Sequence, residues 1–344
     1  MDFDQNNNLA ESPQPQPAEP IETVTETPKK RTGWRIFWGV ILALSVLANI
    51  ALFLMLIGVV AIFAAGQKGI FTEEVIRAGP RTNKIAVITV QGIINGQQAR
   101  DIYSQIKAAR KDRRVKGLII RVNSPGGTIS GSDQIHNEIL KYRGEKEKPV
   151  VAFMQSVAAS GGYYTSVACE KIVAEPTAIT GSVGVLAGHF VLQELLEQKL
   201  GIKTAIVKSG EKKDWPSPFR PFTEEQRQYI EEKLIRPAYN RFVQVVADGR
   251  QELTLADVER LADGSIYGAE EALAEKLIDK IGYLDEAIEE VKSLAGIEKA
   301  QVVEYRKPFS LAEFLSIVSR NIPKIDATTL YELSTPQALY LWSL

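Results

Sequence analysis

The chain has 344 residues, of which 45% are hydrophobic and 24% charged, and its formal net charge is −1. This length allows one large domain or two small ones with a substantial core. The near-neutral charge argues against a nucleic-acid partner, because a nucleic-acid binder normally presents a basic face. The single cysteine, Cys169, excludes an intrachain disulfide framework, and two histidines are too few for a multi-histidine metal centre. We therefore expect no metal site.

The N-terminal stretch is acidic, polar and rich in proline as far as Pro28. It carries too few apolar side chains to offset the entropy lost on ordering. We predict that residues 1–35 form a disordered tail, which ends in a basic flank made of Lys29, Lys30, Arg31 and Arg35.

Residues 36–65 are almost unbroken apolar, with Ser45 and Asn49 as the clear interruptions. A helix needs about 20 apolar residues to cross the hydrocarbon of a membrane, so this run is long enough to cross with tilt. The basic flank favours an N-terminus in the cytoplasm and the rest of the chain outside it. A cleaved signal peptide is the competing interpretation, but its apolar region is shorter, about 7–15 residues. We predict a single-pass transmembrane helix.

The rest of the chain divides into a linker at 66–81, an α/β domain at 82–304 and a C-terminal segment at 305–344. In the domain, apolar runs typical of buried strands alternate with helical patterns, which predicts parallel pairing in βαβ units. One long helix should begin after Thr223, with Gln226 completing a capping box. The predicted strands are Lys84–Val90, Gly117–Val122, Pro149–Met154, Lys171–Pro176 and Lys203–Gly210, and a further helix is predicted at Phe190–Gly201.

Two loops at predicted strand ends are candidates for the chemistry. Asn123–Gly127 reads Asn-Ser-Pro-Gly-Gly, and a turn of this kind can aim backbone N–H groups at one point, as an oxyanion hole requires. Ser156–Tyr164 places Ser160 among small residues at a strand-to-helix turn. An ordinary Pro-Gly turn and a helix-capping serine are the structural alternatives.

A nucleophilic serine needs a base, and the residues alone leave several candidates. His136 and His189 are the two histidines, and Lys208–Asp214 is a dense lysine cluster. A lysine can act as a base only when neutral, which requires burial or neighbouring positive charge. A lysine base would make activity rise with pH toward the alkaline side.

Several segments in this order resemble the signal peptide peptidase A family, in its short single-domain type. That family is a serine–lysine protease group of the Clp-protease/crotonase-like fold. The resemblance extends from Lys84 to about Asp285. It rests on Val122–Gly127, Ser156–Tyr164, Thr180–Val185, Lys208–Asp214 and Ala262–Asp279.

The resemblance implies an α/β fold of repeated ββα units with a parallel sheet, preceded by one transmembrane helix. It also implies roles for individual residues. Ser160 would be the nucleophile and Lys213 the general base, with Lys208 as the second candidate. Ser182 would orient the lysine, and the N–H groups of Gly127 and Ser160 would form the oxyanion hole.

The implied function is a membrane-anchored serine endopeptidase with a Ser/Lys dyad. It would hydrolyse remnant signal peptides and other short unfolded apolar peptides, without a cofactor, as a homo-oligomeric ring or dome. The alternative is a non-proteolytic membrane-anchored oligomeric scaffold of the same fold, which would need neither Ser160 nor Lys213. The apolar stretch Ala327–Leu344 is expected to be a packed element, and a tail resting in the substrate groove is a second hypothesis.

Overall fold

A computed structural model describes residues 32–66, 71–146, 148–188, 190–306 and 337–342. The chain divides into two compact units, the first extending to Ile62 and the second beginning at Phe63. The predicted disordered tail, as far as residue 31, and His189 lie outside the described residues.

The described part of the first unit, residues 32–62, belongs to a single long helix, α1 (Thr32–Gly66), whose last turn is assigned to the second unit. Its stretch Gly33–Val60, 28 residues long, is long enough and apolar enough to cross a membrane. At 1.5 Å per residue it would span about 42 Å, more than the roughly 30 Å of bilayer hydrocarbon. Its large apolar side chains, such as Leu42 and Leu52, are exposed, so α1 does not have the buried apolar face of a core helix.

The second unit consists of strands and of helices α2 to α9. The strands are β1 (Thr72–Arg77), β2 (Lys84–Gln91), β3 (Val115–Ser124), β4 (Gly126–Thr128), β5 (Val150–Ala159), β6 (Lys171–Ala174), β7 (Ile179–Gly181), β8 (Leu186–Gly188), β9 (Ile266–Gly268), β10 (Lys280–Ile281), β11 (Gln301–Arg306) and β12 (Gln337–Leu341). The helices are α2 (Gly96–Lys111), α3 (Ile129–Lys146), α4 (Gly161–Ser166), α5 (Glu224–Ile230), α6 (Arg236–Gly249), α7 (Leu255–Leu261), α8 (Ala269–Ala274) and α9 (Leu284–Ala295).

The strands form one large sheet and one small one. The large sheet has nine strands, in the order β1-β11-β2-β3-β5-β6-β10, with β7 joining β5 to β9. Its central strands β11, β2, β3, β5, β6 and β10 pair in parallel, and β1 joins the edge antiparallel. The predicted α/β class with a parallel sheet is confirmed. The small sheet has the order β4-β12-β8 and is antiparallel throughout.

Both faces of the large sheet are buried, which explains its continuous apolar strands. Because side chains alternate across a strand, Ile88 and Ile120 point to the face covered by helices α2 and α3, whereas Val87 and Ile119 point to the face covered by α9. The carboxyl ends of β3 and β5 are adjacent, and both candidate loops begin there.

Residues 66–81, predicted as a linker, contribute an edge strand. Strand β1 pairs with β11 in antiparallel register, Thr72 opposite Arg306. Its side chains are mostly exposed, so the apolar pattern that identifies a buried strand is absent. The pairing covers the outer edge of β11 with backbone hydrogen bonds and charged side chains, which protects that edge from other chains.

The helix predicted at Phe190–Gly201 is present only over residues 193–199, and the strand predicted at Lys203–Gly210 is wrong. The first segment holds one π-helical turn, Leu195–Lys199, and the second has no regular structure. Both segments leave most of their apolar side chains exposed, Val207 completely, whereas Leu192 and Leu196 are half-buried. The sequence has the correct apolar spacing, but the described residues of the second unit leave most of these side chains uncovered. We call residues 190–214 the arm.

His136 is buried beside the aromatic core at 5% exposure, with its ring 5.2 Å from that of Tyr164. Its Nδ1 atom has no hydrogen-bond partner among the described residues. Burial lowers the pKa of His136 to about 4, while the nearby charges of Asp133 and Arg241 act in opposite directions. This histidine is therefore neutral at physiological pH.

We expect the folded unit to lose stability as the pH falls from about 6.5 to about 4. In that window the unfolded chain binds a proton at His136 and the folded chain does not, a contribution of about 3 kcal/mol. The variant His136→Phe retains a ring against Tyr164 and removes the titration. Urea unfolding of both proteins in detergent, at pH 7 and at about pH 4.5, measures how much unfolding free energy each protein loses at the lower pH. Equal losses in the two proteins would contradict the prediction.

Candidate active site

Ser160 lies at a strained turn between strand β5 and helix α4. Its backbone has φ 53° and ψ −114°, and it is one of three described residues other than glycine with positive φ. Such a conformation costs free energy and is concentrated at functional sites. The hydroxyl makes no capping hydrogen bond to the helix. The structure thus does not support the interpretation of Ser160 as a simple helix cap.

The glycines after Ser160 allow the turn to approach the Asn-Ser-Pro-Gly-Gly loop at backbone distance. A β-carbon on Gly161 would collide with the Ser132 hydroxyl and lie 3.1 Å from the Cα of Gly126. One on Gly162 would lie 2.8 Å from the carbonyl oxygen of Ser124. A larger residue at either position would push the two loops apart.

The Asn-Ser-Pro-Gly-Gly loop is fixed by its own hydrogen bonds. The Ser124 hydroxyl donates to the Gly92 carbonyl at 2.6 Å and accepts from the Gly126 N–H at 3.0 Å. Gly126 has φ +102°, a conformation that side chains rarely adopt. Gly127 pairs with Ile94 so closely that a β-carbon there would overlap the Ile94 backbone. This loop is more than an ordinary Pro-Gly turn, because three backbone segments converge on it.

Ser182 lies beside Ser160. Both line one cavity of about 380 Å³, which we call the Ser160 cavity, together with Val185, Tyr239 and Gly264. Ser182 also has positive φ, 48°, and its N–H donates to the Ser265 carbonyl at 2.7 Å. The structure therefore brings together two of the three predicted catalytic side chains.

The Ser160 N–H is not free to serve as an oxyanion donor in this structure. It donates to the Gly181 carbonyl at 2.8 Å, and this bond joins the nucleophile turn to the turn that carries Ser182. The first N–H groups of a helix have no partner within the helix. Gly161, the first residue of α4, is thus the better-placed donor. The role of the Ser160 N–H stays a prediction from the sequence, and its bond to Gly181 favours Gly161 over it.

No lysine is present among the described residues that line the Ser160 cavity. Lys208 donates to the Asp214 carboxylate at 2.8 Å, and this bond, with help from Arg220, holds the pKa of Asp214 below its usual range. Lys212 lies over the ring of Tyr229 at 4.7 Å. Lys213, on the 3-10 turn Glu211–Asp214, has no hydrogen bond or ion pair through its side chain to the described residues. Within one chain, the dyad predicted from sequence is not assembled.

His136 does not replace the missing base. It packs behind Tyr164, and it is absent from the described lining of the Ser160 cavity. His189 lies outside the described residues. The structure thus gives no support to a Ser–His pair.

Strand β12, which we call the tail strand, lies across the site. It pairs antiparallel with β4 on one side, Tyr340 opposite Gly127, and with β8 on the other, Leu339 opposite Leu186. The Trp342 N–H donates to the Pro125 carbonyl at 2.8 Å. Leu341 and Trp342 line the Ser160 cavity. The space between β4 and β8, which we call the peptide groove, therefore accepts an extended chain as an added strand.

The chain is similar to several known proteins. Residues 143–298, which include Ser160, Ser182 and Lys213, match the model of peptidase family S49. A putative signal peptide peptidase SppA of Enterococcus faecium is 38% identical over 246 residues, covering 68% of this chain and 70% of that protein. Protease 4 of Haemophilus influenzae is 34% identical over 229 residues, covering 64% of this chain but 36% of Protease 4. A solved structure of a ClpP1 mutant from Listeria monocytogenes aligns with a TM-score of 0.40 at 17% identity, covering 59% of this chain and 94% of that one.

Proposed function

The chain belongs to peptidase family S49 and is a serine protease, and on that premise we propose that it is a membrane-anchored endopeptidase with Ser160 as nucleophile and Lys213 as base. Its substrates are remnant signal peptides and other short, unfolded, apolar peptides. The observation that carries the proposal is the strained Ser160 turn, which faces a cavity beside a groove occupied by an extended strand. A scaffold would need neither the strained serine nor the groove.

The reaction follows from these positions. Neutral Lys213 takes the proton of the Ser160 hydroxyl, and the serine oxygen attacks the peptide carbonyl. The N–H groups of Gly127 and Gly161 hold the negative charge that develops on the carbonyl oxygen. The C–N bond breaks, the amine leaves with the proton from the lysine, and an ester to Ser160 remains. Water, deprotonated by the same lysine, then hydrolyses the ester. Ser182 orients the lysine.

The lysine reaches Ser160 from a neighbouring copy of the chain. Support comes from the Ser160 cavity, whose described lining contains Ser160 and Ser182 but no lysine. The arm carries Lys213 together with large apolar side chains that are exposed in the single chain. Large exposed apolar patches mark interaction sites. The exposed members are Phe190, Val191, Leu195, Leu200, Ile202, Ile206 and Val207. A second copy that covers the arm would also exclude water from the base, which favours a neutral amine.

The membrane topology rests on the charge pattern around helix α1. The basic flank lies at the N-terminal end of the apolar stretch Gly33–Val60, with Arg35 in its first turn, which favours a cytoplasmic N-terminus and an extracytoplasmic protease unit. A protease held at the membrane surface would meet signal peptides where they remain after secretion.

Covalent labelling tests the proposed function directly. The full chain in detergent is treated with a fluorophosphonate probe, which phosphonylates activated serines, and the modified residue is mapped by mass spectrometry. We expect modification at Ser160. Labelling at another serine, or none under conditions where peptides are hydrolysed, would reject Ser160 as the nucleophile.

Deletion of Pro336–Leu344 is expected to raise activity on added peptides. The tail strand takes the same backbone partners on β4 and β8 that a substrate strand would need. A tethered strand competes at an effective concentration on the order of millimolar, so removing it should lower KM about tenfold or more, with kcat little changed. Steady-state kinetics on one peptide measures the effect. Tyr340→Ala, which keeps the tail and removes its buried anchor, should give an intermediate KM, and unchanged kinetics in both variants would contradict the prediction.

A further inference from the structure

We propose that one edge of the second unit binds the headgroups of anionic phospholipids at the membrane surface. The cations of this edge, which we call the basic face, are Lys107, Lys111, Arg113, Arg114 and Lys299. The inference rests on the membrane anchoring in the proposed function and on no step of the peptidase reaction.

The basic face is assembled from three chain segments at the amino ends of strands β3, β2 and β11. Helix α2 ends at Lys111, and the turn that follows it leads into β3. The Lys84 N–H donates to the Arg114 carbonyl at 2.7 Å, which joins this turn to the start of β2. Asn83 Nδ2 donates to the Lys299 carbonyl at 3.4 Å, which joins the start of β2 to the turn before β11. Cations that are distant in the sequence therefore lie at one edge of the sheet.

Most cations of the basic face have no partner in the part of the chain that the structure describes. Lys111, Arg113 and Lys299 are exposed, and their side chains form no hydrogen bond or ion pair with the described residues. Lys107, one helical turn before Lys111, lies 5.5 Å from the centre of the Tyr103 ring, a contact that leaves its positive charge uncompensated. The face thus presents positive charge to its surroundings.

Ion pairs inside the second unit neutralise acids at the basic face. The Lys84 ammonium lies 2.5 Å from the Glu73 carboxylate and 3.2 Å from the Asp112 carboxylate. Arg114 also binds Asp112, at 2.9 Å. Glu298, in the turn before β11, is a further acid and is exposed. The cations of the face, together with Lys84, outnumber these acids, so the surplus charge is positive.

The dipole of helix α2 explains only part of this pattern. Cations stabilise the negative C-terminal end of a helix, which accounts for Lys111 in the last turn. Arg113 and Lys299 lie beyond the helix, and the dipole effect falls off within the last turn. Clustered like charges repel one another, so their collection at one edge favours a surface that binds an anion.

The basic face lies where the chain enters the second unit. Phe71, just before strand β1, stacks on Tyr305 with the ring centres 4.5 Å apart. Burial raises the pKa of the Tyr305 phenol, and the nearby charges of Glu73 and Arg114 also act on it. Five residue steps lead from Gly66, the last residue of α1, to Phe71, a contour of at most about 18 Å. The face is therefore close along the chain to the apolar helix.

The membrane surface is the anionic partner that this connectivity favours. The attraction of a cation to anionic lipid falls off within a Debye length, about 8 Å at physiological ionic strength. The short chain between Gly66 and Phe71 keeps headgroups near the face at a high effective concentration, whereas a soluble polyanion would bind without such a tether. Each Lys or Arg near an anionic surface strengthens binding about fivefold, so the loss of two cations should weaken it about 25-fold.

Fluorescence quenching with the full chain in nanodiscs tests the basic face. The variant Tyr103→Cys carries a fluorophore on an exposed position of α2, and the native cysteine, Cys169, is buried and stays unlabelled. The nanodiscs contain a headgroup spin-labelled lipid in phosphatidylcholine alone or in an equal mixture with phosphatidylglycerol. We expect quenching to be about threefold stronger or more in the anionic mixture. The gain should disappear in about 0.5 M salt, which shortens the Debye length to about 4 Å.

Two controls separate the basic face from a general approach of the protein to the membrane. A fluorophore at Leu255→Cys, an exposed position on α7, should be quenched equally in the two lipids. Adding Lys111→Gln with Arg113→Gln should remove the gain at the α2 label. Arg227→Gln with Lys233→Gln, which removes two exposed cations elsewhere in the second unit, should leave that gain unchanged.

The outcomes distinguish this inference from the proposed function. A chain that is not recovered with the nanodiscs would overturn the membrane anchoring and this inference together. Insertion with equal quenching in the two lipids, or with an equal gain at both labels, would overturn this inference alone. Equal quenching together with tight binding of a duplex oligonucleotide in detergent would assign the basic face to a soluble polyanion instead. Peptide hydrolysis and the labelling of Ser160 are measured separately and decide the peptidase assignment.

Discussion

Ser160→Ala is expected to reduce peptide hydrolysis by at least about 10³-fold. The substitution removes the only atom that the proposed reaction uses to form the acyl-enzyme. It leaves the β5 strand, the Ser160 N–H bond to Gly181 and the peptide groove in place. Peptide affinity should therefore change little while kcat collapses. Steady-state kinetics of the full chain in detergent, with affinity measured separately by anisotropy, resolves the two effects.

Ser156→Ala is the matched control for that experiment. Ser156 lies on strand β5, four residues before Ser160, but its side chain is exposed and it is absent from the described lining of the Ser160 cavity. Its replacement should keep kcat within about twofold, as most exposed substitutions do. If both alanine variants retain activity, the nucleophile is another group, and the assignment of Ser160 fails.

The parts of the fold that the sequence predicted are those dictated by local pattern. Strands β2 and β3 lie where unbroken apolar runs required burial on both faces. Helix α5 begins after Thr223 with the expected capping box to Gln226, because that signal consists of two side chains three residues apart. The placement of Ser160 after a strand and before a helix also followed from its small neighbours.

The parts that the sequence could not supply depend on contacts between distant segments. The bond from the Ser160 N–H to Gly181 depends on how two turns meet, and nothing near Ser160 encodes it. The arm has helical and strand patterns, but the part of its own chain that the structure describes leaves most of its apolar side chains uncovered. Tyr340 follows Ser160 by 180 positions, yet its carbonyl lies beside Gly161. The apolar composition of the C-terminal segment predicted that it packs against the rest of the chain. In the structure its strand β12 pairs with β4 and β8.

Lys213→Ala is expected to abolish activity to a similar extent as Ser160→Ala, because no other group would take the serine proton. Lys208→Ala should have a much smaller effect, since the Lys208 amine already donates to the Asp214 carboxylate. Steady-state kinetics on one peptide measures the activity of the Lys213→Ala and Lys208→Ala variants. Loss of activity in Lys208→Ala with retention in Lys213→Ala would move the base to Lys208.

Mixing two inactive variants tests where the lysine comes from. If the base belongs to the neighbouring copy, an oligomer assembled from equal amounts of Ser160→Ala and Lys213→Ala chains contains some complete sites. A site is complete when its own serine and its neighbour's lysine are both intact, which random assembly gives in about one quarter of sites. Activity near a quarter of the unmodified level is therefore expected after co-assembly from denaturant. Zero recovery, with unmodified chains regaining activity in the same procedure, would place Lys213 and Ser160 of each site in one chain and require the arm to fold back onto its own cavity.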